Sequence, residues 1–291
     1  MTGAGAPTFD LQSHSIHSDG ALPAADVVAR AGAAGVTLLA LTDHDTVAGV
    51  GEAVAAARAA GLRVVPAAEI SALDGDYEDL HVLGYGIDPS ARALADALAA
   101  FRADRAGRGH RMADALRELG WVLEVPDRGG APVGRPHLAQ AVWNEPANRE
   151  RLRAEGLEDF SAFLVAYLIP GALGYRRRTM PTVADAVDVI HDAGGVAVWA
   201  HPFWDIDASR EVLESIDRFA AAGMDGVEAF YVTHTREQTA VLVERCAERD
   251  LLTTGSADFH GPEHPHFSRF RAFDLFGFEP DLGPIPGMAH G

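Results

Sequence analysis

Short β-rich runs alternate with Ala-rich helical stretches at both ends of this chain, and that rhythm restricts it to an α/β architecture of parallel strands joined by helices. Residues 8–12 read as a strand, 23–34 as a helix with Pro23 in its first turn, and 37–42 (TLLALT) as a strand buried on both sides. A helix over 47–60 follows, closed by Gly61, and then a strand over 63–67. The rhythm returns later with a helix at 183–193, a strand at 196–200, a helix around 211–222 and a strand at 226–230. A helix around 236–248 and a strand at 251–254 complete it. The stretch from Ser90 to Arg178 has few β-branched runs and many arginines. It is expected to form an inserted, mostly helical cap subdomain (90–178) over the mouth of a barrel built from 1–89 and 179–291. The tail after Phe276, rich in Gly and Pro, is expected to be irregular.

Composition narrows the partners. The 291 residues, 48% of them hydrophobic, suffice for one full-sized domain with a modest insertion. A formal net charge of −18 repels polyanions at long range, which argues against duplex DNA but leaves room for a small phosphorylated substrate in a locally positive pocket. The single cysteine, Cys246, reads as a buried small hydrophobe and suits a reducing compartment. Residues 1–9 lack the pattern of a signal peptide, and Arg30, Arg63 and His201 interrupt the apolar stretches well short of a membrane span. A cytoplasmic protein with no membrane partner is the expectation.

Histidines and acids gather just after the expected strands. Asp10, Gln12, His14 and Asp19 follow the first, Asp43, His44 and Asp45 the second, and Glu69 the third. His201, Glu228, and the pair Asp258 and His260 follow three later ones. Any one of these could be a loop or capping residue, and Asp43 or Asp45 could cap the helix beginning near Thr46. Six segments meeting at one rim are a different matter, because barrel enzymes place their chemistry there. His81 is an exception, since it opens the run HVLGYGI rather than ending one. Imidazoles mixed with carboxylates suit a borderline divalent ion such as manganese, iron or zinc. Several such ions polarise phosphoryl oxygens and activate water.

The motifs DLQSHSIHSDG (10–20), LTDHDT (41–46), the isolated Glu69, HVLGYGID (81–88), GRPHLA (134–139), AGGVAVWAHP (193–202) and TTGSADFHG (253–261) together resemble the polymerase and histidinol phosphatase (PHP) superfamily. The nearest likeness is to its stand-alone members of the nucleoside 3′,5′-bisphosphate phosphatase type. The resemblance implies a distorted seven-stranded (β/α)7 barrel with two or three divalent ions at its C-terminal rim, Mn2+ first among Fe2+, Zn2+ and Mg2+. It implies that His14, Glu69 and Asp258 serve one metal, Glu69, His81 and His201 a second, and Asp19, His44 and His260 a third. Where the family opens with His-x-His, this chain has Gln12, whose carbonyl oxygen is a weaker donor. His17 lies nearby at a position that the family leaves variable. Arg135 and His137 resemble the family's phosphate-contacting pair.

The expected reaction is hydrolysis of phosphate monoesters of small nucleotides or short oligonucleotide ends by a hydroxide shared between metals. Arg135 would clamp phosphate, and His137 or His201 would protonate the leaving group. Tyr175 and Arg177, within Tyr175–Arg178, would read the rest of the substrate. Arg102, Arg105, Arg108 and Arg111 form a basic stripe that is either a solvated helix face or part of that surface, while Trp143, Trp199 and Phe203 read as packing. The competing readings are a histidinol-phosphate phosphatase and a non-catalytic nucleotide-binding module with a decayed site.

Overall fold

A computed structural model describes residues 7–127 and 133–291. Residues 1–6, and 128–132 of the expected cap, lie outside the described residues. The chain divides into two compact units, Met1–Leu98 with Pro181–Gly291, and Ala99–Met180.

The first unit is a seven-stranded sheet in the order β1 to β7, each strand beside its sequence neighbour. In chain order it contains β1 (Phe9–Asp10), α1 (Ala24–Ala33), β2 (Leu38–Leu41), α2 (Val50–Ala60), β3 (Arg63–Asp74) and β4 (Tyr77–Tyr85). The helix α3 (Arg92–Glu118) then carries the chain into the second unit, which holds α4 (Arg135–Asn144), α5 (Arg149–Ala154) and α6 (Phe160–Tyr167). The first unit resumes with α7 (Val183–Asp192), β5 (Val196–Trp199), α8 (Pro202–Asp205), α9 (Ser209–Ala221), β6 (Gly226–Tyr231), α10 (Arg236–Glu248) and β7 (Leu252–Ser256). Hydrogen bonding from Leu11 N to Gly255 O (3.2 Å) and a parallel bridge between Ser13 and Phe259 bring the last strand back to the first, so the sheet is a distorted, nearly closed barrel.

Local chemistry sets the helix limits. Gly61 closes α2 at φ 69°, a left-handed conformation that costs glycine nothing. Thr182 with Asp185 and Thr235 with Gln238 form capping boxes that start α7 and α10. The possibility that Asp43 or Asp45 caps a helix near Thr46 is not realised, because α2 begins at Val50 after Gly49 and Asp43 accepts from Ser15 and Ser18 in the loop after β1. The tail is irregular as expected apart from a 3-10 turn at Ile285–Met288 and a bridge from His290 to Val64.

One expectation needs correcting. β3 pairs with β4, and β4 with β5, in antiparallel fashion, so the barrel is mixed rather than parallel throughout. The cause is local, since β3 turns back at Asp74–Tyr77 as a hairpin instead of passing through a crossover helix. This reversal resolves the anomaly of His81. A residue early in a reversed strand lies at the same rim as residues ending its neighbours, and His81 pairs with Ser71, just past Glu69.

The barrel's α1–α2 side buries Val27, Val28, Leu39, Leu41, Val64 and Phe259. Trp199 and Phe203 are buried, as expected of packing residues. The second unit has its own core around Trp121, Leu116, Leu138 and Phe163, with Trp143 and Tyr175 packed against it. Among the described residues no helix is long and apolar enough to cross a membrane.

Candidate metal centre

Each candidate ligand is held by a specific backbone device. The segment after β1 is fixed from both sides, with His14 N donating to Phe259 O (2.8 Å) and Thr42 N to Ser13 O (2.8 Å). Asp43 accepts from Ser15 N, Ser15 Oγ and Ser18 Oγ, each at 2.7 Å, and so ties the loop carrying Asp19 to the end of β2. Gly20 belongs to the same device, because a β-carbon there would collide with the His14 carbonyl. His44 bridges to Glu69 through the backbone, and Ala200 N donates to His81 O (3.0 Å) just before His201. Asp45 (φ 52°), His201 (φ 29°) and Asp258 (φ 53°) occupy left-handed conformations at this rim. Such strain costs about 1–3 kcal/mol per residue and persists where its surroundings enforce it, often at functional sites. His201 is held by a hydrogen bond from its N–H to Glu228 Oε2 (3.0 Å).

Glu69 stands at the centre of the cluster. Its Oε1 lies 2.8 Å from His81 Nδ1 and 3.3 Å from His201 Nε2. Its Oε2 lies 3.0 Å from Gln12 Nε2, 3.1 Å from His14 Nε2 and 3.7 Å from His44 Nδ1. His14 Nε2 is also 3.1 Å from Asp258 Oδ1. Asp19, at the solvent edge, faces His14, His44 and His260, each at 3.5 Å. The donors fall into two groups that share His44, namely His14, Asp19, His44 and His260, and His44, Glu69 and His81, with ligand atoms within 4.8 Å of one another in each. His14 and Glu69 are buried while Asp19 is more than half exposed, so the cluster runs from the barrel floor to the surface.

These residues fit divalent ions better than they fit each other. His14 Nε2, His44 Nδ1 and Asp258 Oδ1 are buried and make no hydrogen bond despite their close neighbours. Donor atoms crowded about common points without hydrogen-bond geometry are what shared cations require, and the mixed imidazole–carboxylate set suits a borderline ion. The electrostatics agree. Burial would lower His201, yet the hydrogen bond and charge of Glu69 lift it to about 9. Burial likewise opposes protonation of His14, but Asp258 and Glu69 raise it well above the usual histidine range. Burial pushes His44 down to about 3. Burial would raise Glu69, but the surrounding histidines hold it well below the usual carboxylate range. The carboxylates thus demand positive charge that these rings supply only in part.

Eight of the nine residues expected to bind metal (His14, Asp19, His44, Glu69, His81, His201, Asp258 and His260) meet here. Gln12 is present too, but its amide nitrogen faces Glu69 and its carbonyl oxygen accepts from Ser256 Oγ (3.3 Å), an orientation that offers no oxygen to the cluster. His17 turns away, its Nε2 4.0 Å from Glu52. Arg135, His137, Tyr175 and Arg177 belong to the second unit. There Arg135 and His137 open α4, with His137 Nδ1 accepting from Gly134 N (3.0 Å). Part of the arginine stripe is structural. Buried Arg108 donates to Arg176 O (3.0 Å) and to the Tyr175 hydroxyl (3.2 Å), and Arg111 donates to Asp104 (3.1 Å). Sequence reasoning missed Tyr231, whose hydroxyl donates to Asp258 Oδ2 (2.8 Å), and Ser256, which binds Glu228 Oε1 (2.6 Å). The one available signal for Tyr231 was an aromatic hydroxyl at the end of a strand whose neighbours carry ligands.

Known proteins resemble this chain in sequence and in fold. The PHP domain family matches residues 10–118. A 3′,5′-nucleoside bisphosphate phosphatase of Chromobacterium violaceum is 33% identical over 265 residues, covering 87% of each chain. A 5′-3′ exoribonuclease of Haemophilus influenzae is 31% identical, covering 87% of this chain and 90% of the relative. A solved amidohydrolase from Chromobacterium violaceum, with bound sulfate and no metal, superposes with a TM-score of 0.73 at 30% identity over 97% of each chain. Motif order, barrel topology and donor cluster lead to one assignment: the chain belongs to the PHP domain family and is a metal-dependent phosphoesterase.

Proposed function

We propose that this protein hydrolyses phosphate monoesters of small nucleotides, such as nucleoside 3′,5′-bisphosphates, or of short oligonucleotide ends, with two or three divalent ions, Mn2+ foremost. The observation that carries the reading is the convergence of five imidazoles and three carboxylates at one barrel rim, with buried ligand atoms that make no hydrogen bonds. When bound, such ions stabilise charge on phosphoryl oxygens and acidify water. The names of the relatives point to nucleotides and RNA ends as the substrate class.

The chain's own groups have separable tasks. His14, Asp19, His44, Glu69, His81, His201, Asp258 and His260 hold the ions, and Tyr231 keeps Asp258 oriented by donating to Oδ2. Arg135 and His137 are assigned to the phosphate. The first turn of a helix already favours anions through its free backbone N–H groups, and a guanidinium adds bidentate donors. His137 is the first choice of proton donor to the leaving oxygen, ahead of His201, whose Nε2 is engaged 3.3 Å from Glu69. Tyr175, packed against Arg108, and exposed Arg177 are assigned to the remainder of the nucleotide.

The test is a panel of 3′,5′-bisphosphates, 5′-phosphorylated oligoribonucleotides, histidinol phosphate and an aryl phosphate, assayed with manganese. Preference for a nucleotide substrate is expected. Equal or faster release from histidinol phosphate would overturn the substrate class. An Arg135→Ala variant is expected to lose about 10- to 100-fold in kcat/KM, the value of charge-assisted hydrogen bonds to phosphate.

A further inference from the structure

Gln12 is an amide among charged donors, 1% exposed, on the floor of the cluster. Its neighbours decide which way it faces. Glu69 is an acceptor only, so the Gln12 NH2 must be the group 3.0 Å from Glu69 Oε2. The Gln12 carbonyl then turns to the Ser256 hydroxyl (3.3 Å), which is shared with Glu228 Oε1 (2.6 Å), and Glu228 Oε2 in turn accepts from His201 N (3.0 Å). A buried chain of polar contacts thus runs from Glu69 beneath the cluster to the backbone of His201.

We infer that Gln12 is a positioning residue that limits the centre to two ions. Its N–H takes up Glu69 Oε2, which a third cation would need, and so leaves His14 and Asp258 to the ion beside His260, whose Nδ1 lies 3.6 Å from Asp258 Oδ1. Without Gln12, two groups of ligand atoms that share His44, one around Asp19 and one around Glu69, already lie close enough to hold an ion each. By holding Oε2, Gln12 also aims Oε1 at His81 and His201. Offering the carbonyl to a third ion would require the amide to rotate, setting its NH2 towards Ser256 and breaking the bond to Glu69. The inference rests on the metal-dependent reading of this site but concerns the number of ions, not the substrate.

The experiment is to strip the full chain of metal, load it with excess manganese, desalt it and count ions per chain by elemental analysis. Two are expected for the wild type and three for Gln12→His, which replaces the donor with an imidazole. Gln12→Leu is expected to keep two ions but release them to a chelator about 10- to 100-fold more readily, as when a group orienting a ligand is lost. Circular dichroism confirms that each variant is folded. Three ions in the wild type, two in Gln12→His, or unchanged chelator competition in Gln12→Leu would each overturn the inference. Because counting needs no turnover, three ions in a protein that hydrolyses nucleotides would sink this inference alone. Two ions without nucleotide hydrolysis would sink only the proposed substrate.

Discussion

His234 gives the sharpest test of how the wall behind the centre is built. It lies just past β6, 5% exposed, edge-on to Phe203 and tilted against Tyr231. Its Nδ1 donates to Ala229 O (3.1 Å), and its Nε2 is buried with no hydrogen bond. A proton on Nε2 would create a buried charged donor with no acceptor, so burial lowers the pKa from 6.5 to about 4. Above about pH 6.5 the ring is neutral in both states and costs nothing. As pH falls from 6.5 towards 4 the unfolded chain gains a proton that the folded protein refuses, so stability is lost across that window and levels off below it. At about 1.4 kcal/mol per pH unit the loss sums to roughly 3 kcal/mol. The assay is urea unfolding of wild type and His234→Phe from pH 8 to 4, read as the difference between the two curves. That difference cancels Asp10 and Glu228, which burial pushes up to about 7 and about 8. Thr239 Oγ1 still donates to the Ala229 carbonyl in the variant (3.2 Å). The variant should gain on wild type by roughly 3 kcal/mol as pH falls, and parallel curves would refute the reasoning.

Three other outcomes follow from the same structure. Tyr231→Phe removes the hydroxyl that orients Asp258 and should weaken manganese binding about 10- to 100-fold in chelator competition, with the fold unchanged by circular dichroism. Phe163→Ala removes a fully buried ring from the core of the second unit and should destabilise that unit by about 3–5 kcal/mol, seen as early loss of helical signal in urea. Cys246, buried and with its thiol pushed up to about 12 by burial, should resist alkylation at pH 8 in the native protein and react at once in denaturant.

Strand ends and their acids and histidines were legible in the sequence because a barrel projects the residues after parallel strands to one rim. His14, His44, Glu69, His201, Asp258 and His260 were found that way. The reversal of β4 was not legible. Its opening residues, Tyr77-Glu78-Asp79, look like a surface loop in sequence, and only their pairing with the far end of β3 makes them strand. The direction of the Gln12 amide was hidden for a similar reason. It is set by Glu69 and Ser256, 57 and 244 residues away, and a local pattern carries no information about a side chain's distant partners. Arg108 read as one member of a stripe, but its burial depends on where Tyr175 and Arg176 return to α3.

The account stands on shared divalent ions at the rim around Glu69, and anomalous scattering at the manganese edge from crystals of the manganese-loaded protein addresses it directly. It predicts peaks within about 2.0–2.3 Å of ligand atoms of Glu69, His81 and His201 in one position, and of Asp19, His44 and His260 in another. Full manganese loading with no peak among these side chains, or with peaks only elsewhere on the chain, would contradict it.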